Sequence, residues 1–413
     1  TGDMKYWVYA LKSSVLGNYT NAPRNVISSS ENPNPHTINW YNRSTGNNAD
    51  PIITNLDYGS AGAVKLYIDN GVSPRPTDTH NGLCVFVRSS TDTETVNPIA
   101  EYKVLTFTHD GSADDQTEYT VNFTEETECD ILIVGGGGGG GSAESASTTS
   151  GAGGGAGGLI FLENQNIPAG PYTVKVGKGG DVISSGSDSR GNNGQNSSFS
   201  YLLTEAIGGG GGGTRDKTGH NPLVFTGSNG GSGGGSVFDE NGHPEGGVGT
   251  VGNIVKYDGT LIIENYRQGY NGGDNTIDDT PYSGGGGGAG GEGKNSQETD
   301  DTTDGDGGIG KSGEGSIDFK TLFGITDVSI GEHHTDNKVY FAGGGGSGER
   351  SDNTSSGGLG GGGDGLVSAG SQNGLPNTGG GGAGGESTRA FAVGSGGSGI
   401  VIIRYKTTSI KHL

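Results

Sequence analysis

Two stretches of the sequence have the spacing of nucleotide-binding loops. Gly305-Asp306-Gly307-Gly308-Ile309-Gly310-Lys311-Ser312 satisfies G-x-x-x-x-G-K-[ST], where backbone amides cradle phosphates and the lysine reaches the β/γ-phosphates. A loop of that kind follows a hydrophobic strand. Here Glu298, Asp300, Asp301 and Asp304 precede it, and together with Asp306 their charge repels a nucleotide. Val134 and the seven glycines after it satisfy G-x-G-x-x-G behind a strand, with Glu163 in the place of a ribose-binding acid. The intervening SAESASTTSGAGGGAGG is too rich in Gly, Ser and Thr for the helix that a dinucleotide site needs. Both readings are rejected.

Metal and nucleophile chemistry fare no better. Asp300-Asp301-Thr302-Thr303-Asp304-Gly305-Asp306 offers carboxylate oxygens but lacks the alternating ligand positions and terminal bidentate Glu of a calcium loop, so it reads as a solvated acidic loop. In Glu332-His333-His334-Thr335-Asp336 the adjacent histidines point to opposite sides of extended backbone and do not converge on one ion. Trp40 and Tyr41 could stack on a sugar, but a core or assembly contact is the favoured reading. No Ser/His/Asp order or carboxylate pair stands out. The expectation is a non-enzyme with no catalytic, cofactor-binding or metal-binding residue and no cofactor.

Covalent features are few. Cys84 and Cys129 permit one disulfide or two buried free thiols. Sequons at Asn18, Asn42, Asn122, Asn196 and Asn353 permit N-glycosylation, in a number that chance alone supplies in a chain this rich in Asn, Ser and Thr. A formal charge of −22 argues against nucleic acid and anionic membrane surfaces as partners. The longest aliphatic runs are four residues, far below the ~20 that span a bilayer, so no membrane insertion is expected.

The elements that would carry such residues are themselves unusual. Of 413 residues 90 are Gly, and all but eight of these fall between Gly135 and Gly399; hydrophobic residues make up only 28%. A single large apolar core is therefore not the main source of cohesion. Residues 1–98 read as a small sandwich-like β-module for anchoring or assembly, with strands at 4–10, 51–56, 63–68 and 83–87 and a core of Tyr6, Trp7, Tyr67 and Phe86. From 99 to 406 short apolar strands (102–107, 119–123, 129–134, 159–162, 172–176, 199–203, 260–263, 339–341, 400–405) alternate with nine glycine blocks, and 407–413 form a tail. Strands 130–134 and 399–405 are expected to be neighbours that close the domain, with one face buried rather than two.

Three physical readings of the glycine blocks compete. Disorder is the default for glycine, but solvated linkers have no use for the β-branched and aromatic strands between these blocks. Collagen needs Gly at every third position and abundant Pro, and runs of seven Gly break that rule. The third reading is a bundle of polyglycine II helices, extended threefold helices whose outward amides and carbonyls bond neighbouring helices, packed too closely for any Cβ.

Several segments carry a family resemblance: DILIVGGGGGGG at 130–141, GAGGGAGG at 151–158, PAGPYTVKVGKGG at 168–180, NGQNSSF at 193–199, AIGGGGGG at 206–213, GGGGGAGG at 284–291, FAGGGGSG at 341–348, TGGGGAGG at 378–385 and GGSGIVIIRY at 396–405. Together they are similar to the glycine-rich domain of receptor-binding adhesins in tailed-phage fibres, of fibre-like surface proteins of large viruses, and of the extracellular regions of some receptor tyrosine kinases. The resemblance implies packed polyglycine II helices with flanking β-strands, and recognition by loops at the bundle end. The fold expected is thus an all-β N-terminal module plus a polyglycine II bundle with flanking β-strands and essentially no α-helix. The function expected is a structural subunit of an extracellular or virion-surface fibre, with itself or other fibre subunits as partners. The alternative is an adhesin gripping a host surface protein or glycan through loops such as 142–150, 214–229, 292–307, 349–356 and 366–378.

Overall fold

The computed structural model describes residues 101–112, 116–142, 150–183, 190–215, 222–238, 242, 244–276, 283–296, 304–348, 355–365, 372–385 and 393–407, and before them the backbone of six short strands. The chain divides into two units, Thr1–Asn97 and Pro98–Leu413. The first unit holds β1 (Lys5–Ala10), β2 (Val26–Ser28), β3 (Ile38–Trp40), β4 (Asp57–Tyr58), β5 (Ala63–Leu66) and β6 (Leu83–Arg88). Their order is β1-β6-β5-β4 in one antiparallel sheet, with β2 and β3 as a separate pair. The expected strand at 51–56, the side chains of the expected core, and the Trp40–Tyr41 platform lie outside the described residues.

The second unit begins with β7 (Glu101–Thr108), β8 (Thr117–Phe123), β9 (Thr127–Val134), β10 (Leu159–Ile167), β11 (Gly170–Val176) and β12 (Ser198–Phe199). A one-turn helix α1 (Pro222–Phe225) precedes the hairpin of β13 (Val251–Val255) and β14 (Leu261–Arg267). Two short hairpins follow, β15 (Gly313–Glu314) with β16 (Ile317–Asp318) and β17 (Glu332–His333) with β18 (Val339–Tyr340), and β19 (Ile400–Thr407) ends the unit. Between the short hairpins α2 (Phe319–Phe323) starts where the Asp318 carboxylate accepts from Thr321 N and stops at Gly324, φ 62°. Its Phe319 and Phe323, one turn apart, pack on Phe161. The described architecture is nearly all β.

The central sheet has the order β10-β9-β19-β7, all antiparallel, so the expected pairing of the two terminal strands holds: Ile400 faces Val134 and Arg404 faces Asp130. Burial differs from the expectation, because both faces of this sheet are covered. Ile131, Ile133, Ile160, Val401 and Ile403 sit beneath the three-stranded sheet β12-β11-β8 with Val174 and Phe199. Leu132, Val134, Leu159, Ile400 and Ile402 pack on the other side against Phe319, Phe323 and Phe341. A strand apolar at every position is buried on both faces. An ion pair, Arg404 Nη1 to Asp130 Oδ2 at 2.7 Å, ends the apolar run where the strands reach the surface.

Chain leaving β9 does not turn back but continues as Gly135–Gly141, and its hydrogen bonds follow a period of three. The amides of Gly135, Gly138 and Gly141 donate to the carbonyls of Gly158, Gly155 and Ala152; those of Gly136 and Gly139 to Gln195 and Asn192; those of Gly137 and Gly140 to Gly397 and Gly394. Each set runs antiparallel to a different neighbour. In return, Gly209 and Gly212 donate to Gly136 and Gly139, Gly382 and Gly385 to Gly138 and Gly141, and Gly180 to Gly137, all running parallel. One segment thus touches six others, donating to three and accepting from three. Residues 151–158 repeat the arrangement, donating to 379–385, 207–213 and 284–287 and accepting from 135–141, 232–235 and 345–348. A hydrogen-bond period of three, with amides directed to three different neighbours, is the pattern a threefold extended helix would make.

Sterics explain why nearly every position is glycine. A Cβ on Gly137, Gly138 or Gly140 would lie closer than 3.0 Å to the backbone of 380, 210 or 383, a separation real Cβ atoms do not reach. Alanine is admitted at Ala152, Ala156 and Ala289, fully buried, where the methyl faces a small apolar cluster instead.

Candidate functional site: the loop-bearing pole

Because the glycine segments run parallel or antiparallel along one axis, the bundle has two ends. One continues into the sheet through Val134, Leu159 and Ile400. The other is where nine stretches outside the described residues, 143–149, 184–189, 216–221, 239–243 apart from Gly242, 277–282, 297–303, 349–354, 366–371 and 386–392, are joined on both sides to described chain. Gly141 N meets Ala152 O, Gly191 N meets Gly212 O, Gly213 N meets Gly235 O, Gly153 N meets Gly284 O, Ser347 N meets Gly305 O, Gly365 N meets Ser355 O and Gly385 N meets Gly141 O, which places all these stems at one level. Part of each of the five loops singled out from the sequence belongs to these stretches. β7 begins at Glu101 and β19 ends at Thr407, opposite each other in the ladder and at the far pole.

The stems finish in a layer of buried polar side chains. Ser142, Ser150, Thr214, Ser236, Asn275, Ser283, Ser347 and Ser355 are all 3% exposed or less. Ser142 N donates to Thr214 Oγ1 at 2.9 Å, Ser150 Oγ and Ser283 Oγ lie 2.7 Å apart, and Ser236 Oγ donates to Pro244 O at 2.8 Å while accepting from Asn275 N at 2.7 Å. Ser355 Oγ donates to Ser347 O. Where the glycine lattice stops, the next turn's amides and carbonyls are missing, and a buried group left unpaired would cost about 1–3 kcal/mol. The hydroxyls supply those bonds.

Asparagine does the same along the flanks. Asn196 Oδ1 and Asn193 Oδ1 accept from Gly208 N and Gly211 N, each at 2.9 Å, keeping the period of three in side-chain form. Asn229, Asn271, Asn295 and Asn373 accept from Val248, Gly249, Asp274 and Ser395. Sequence reasoning missed this role, although the spacing of Asn193 and Asn196 at three residues was the available signal.

The motifs weighed for chemistry are dispersed. Lys311 bridges Phe341 through its backbone, and its Nζ lies 2.7 Å from Glu314 Oε2 and over the Tyr266 ring. Glu332 turns inward: its Oε2 accepts from Gly360 N at 2.6 Å and Gly361 N at 2.7 Å, fixing a turn whose φ values are 110° and 89°. His333 Nε2 meets Asp327 O, and His334 Nδ1 lies 3.2 Å from Asp336. The Tyr340 hydroxyl, on Asp336 Oδ2 at 2.8 Å, holds that carboxyl below its ordinary value. Among the described residues no group of three or more His, Cys, Asp and Glu could hold a metal ion. Asp300 and Asp301 lie outside the described residues, and Asp304 is buried at the pole. A groove of about 650 Å³ is lined by Tyr270, Glu292, Lys294, Asn295, Asp306 and Ile309 together with four glycines.

Cys129 is a buried thiol, and burial pushes it up to about 12. The side chain of Cys84 lies outside the described residues, as do Asn18, Asn42 and Asn353. Asn122 is exposed on β8. Asn196 is half-buried with its Nδ2 on Glu205 Oε2 at 2.7 Å and its Oδ1 on Gly208 N.

No helix among the described residues is long and apolar enough to cross a membrane. No curated protein matches the sequence. A family model described as a glycine-rich domain matches residues 113–406, nearly the whole of the second unit, and on that match the chain belongs to the glycine-rich domain family.

Proposed function

We propose that this protein is a non-enzymatic structural subunit of an extracellular or virion-surface fibre, whose stiff element is a polyglycine II bundle. The carrying observation is the bonding period of three, in which one glycine segment is tied to six neighbours. Net gains of about 0.5–1.5 kcal/mol per hydrogen bond, repeated through such a lattice, replace the side-chain core that the composition denies. Seven residues at ~3.1 Å each make a rod element of about 22 Å. The far pole, where β7 begins and β19 ends, serves as an attachment end. Its partners are other fibre subunits.

A second reading, a receptor-binding adhesin, is favoured by the convergence of all nine stems on one pole. Those nine stretches hold thirteen acidic and three basic residues, a composition suited to a cationic or polar partner on a host protein or glycan. Electron microscopy of native material tests both. Repeating copies along a filament support the subunit; one copy at a tip supports the adhesin; dispersed single particles with no assembly or surface attachment sink both.

A further inference from the structure

The central sheet has two edges, and the chain treats them differently. Ladder parity fixes which backbone groups face outward at each. Gly135 N bonds Gly158 O, so Ile131 and Ile133 bond β10 and their neighbours Asp130, Leu132 and Val134 bond β19. Ile400, Ile402 and Arg404 are thereby committed to β9, leaving positions 401, 403, 405 and 407 to bond 107, 105, 103 and 101 of β7. The amides and carbonyls of Tyr102, Val104 and Thr106 therefore point out of the sheet.

On the β10 side the outward groups are closed off. Leu159 N donates to Gln268 O at 3.0 Å and Phe161 N to Tyr266 Oη at 3.1 Å. A bulge between Leu162 and Gln165 then ends the edge, with Asn164 at φ 53° and its N on Asp130 Oδ1. On the β7 side the Tyr119 hydroxyl closes Thr108 O at 2.7 Å, but no described residue bonds the outward groups of 102, 104 and 106. Tyr102 is 44% and Val104 39% exposed. An open edge of this kind is a template for another strand.

We propose that β7 is an assembly edge at which a second copy of this chain pairs, antiparallel and centred on Val104. Self-complementarity selects a copy over an unrelated strand. Rotation about an axis normal to the sheet at Val104 sets Val104 against Val104, Tyr102 against Thr106 and Thr106 against Tyr102, matching every outward donor with an outward acceptor in about six bonds. A register one residue off presents outward groups to none. Charge is also accommodated: Lys103 falls opposite Leu105 and Glu101 opposite Phe107, so no like charges stand directly opposed although each chain carries −22. The joined sheet has eight strands, and the two loop-bearing poles face opposite ways. The pairing stands apart from the fibre and adhesin readings and holds or fails whichever of them is right.

Light scattering and cross-linking of the full chain test it. The wild type is expected to be a dimer at the highest soluble concentration. Val104→Cys is expected to give a disulfide-linked dimer on oxidation, because paired Cα atoms at about 5.5 Å lie within disulfide range. Tyr102→Cys alone is expected not to, whereas Tyr102→Cys with Thr106→Cys does. Val104→Pro removes an outward amide and leaves the β19 ladder intact, and is expected to weaken dimerisation at least tenfold. A monomeric wild type overturns the proposal, as does a dimer in which Val104→Cys links no better than Tyr102→Cys. Should Val104→Pro misfold, the two cysteine variants decide; if it folds and dimerises like the wild type, the edge is wrong.

Discussion

Replacing Gly138 by alanine adds one methyl group where the neighbouring backbone leaves no room. Gly138 N donates to Gly155 O at 2.8 Å and its carbonyl accepts from Gly382 N at 2.9 Å, while the new Cβ would overlap the Gly210 carbonyl and approach Gly209 O. The obstacle is backbone on a third neighbour, which no rotamer change can move. Making room separates the 207–213 segment from 135–141 and stretches bonds to two other segments. Two buried pairs lost or weakened, at about 1–3 kcal/mol per unsatisfied group, give roughly 3–6 kcal/mol. A domain total of about 5–15 kcal/mol makes that a large fraction. At about 2–4 °C per kcal/mol the melting temperature should fall by roughly 6–24 °C. Gly286→Ala, whose Cβ would meet Gly154, should behave alike, and valine at either site should be worse. Gly252 in β13 is the control: nothing lies within 4 Å of its added Cβ, so Gly252→Ala should be neutral or stabilise by up to about 1 kcal/mol. Calorimetry or denaturant titration of the three alanine variants decides. Equal melting temperatures for Gly138→Ala, Gly286→Ala and Gly252→Ala would refute the close-packed lattice.

Removing Glu332 as Glu332→Ala leaves Gly360 N and Gly361 N without their acceptor and should cost about 2–4 kcal/mol in urea unfolding, with Glu332→Gln recovering part of it. Asn196→Ala should destabilise by about 1–3 kcal/mol through loss of the Gly208 contact, whereas Asn122→Ala on the exposed face should be silent in the same melt. The Cys129 thiol, ordinarily near 9.0 and held up to about 12 by burial, gives a pH dependence of known sign. Above pH 9 the unfolded chain releases this proton and the folded chain keeps it, so stability is full below that point and falls by up to about 1.4 kcal/mol per pH unit until pH 12. Unfolding measured between pH 8 and 10.5 should show a shallower decline in Cys129→Ala than in the wild type. Lys311→Ala should leave ATP titration calorimetry flat, as in the wild type; a saturable heat lost on mutation would revive the phosphate-loop reading.

The β-strands that feed the glycine blocks were legible because their apolar runs are unbroken and β-branched, and Asp130 and Arg404 mark their ends. Double-sided burial was also written there, since Ile131–Val134 and Ile400–Ile403 offer no polar face, but reading alternation into them concealed it. The glycine blocks announced close backbone contact without announcing partners: Gly135 to Gly141 are chemically identical, and only the threefold arrangement assigns each amide its neighbour. Ser at block ends and Asn at three-residue spacing were visible as composition, yet looked like solvated loop residues because their hydrogen-bond partners lie up to 133 positions away, as for Ser150 and Ser283. Helix α2 escaped notice because five residues carry no periodicity, although Asp318 and Gly324 flank it as caps. The inward turn of Glu332 could not be read locally either, since its partners are 28 and 29 residues downstream.

Amide hydrogen exchange reads the lattice most directly. If the glycine segments bond sideways into a solid, the amides of Gly135–Gly141 and Gly151–Gly158 should exchange as slowly as those of Ile131–Val134 in the buried sheet, although none belongs to a helix or strand. Exchange of those glycines at the rate of an open, hydrated chain, while the sheet stays protected, would contradict the account.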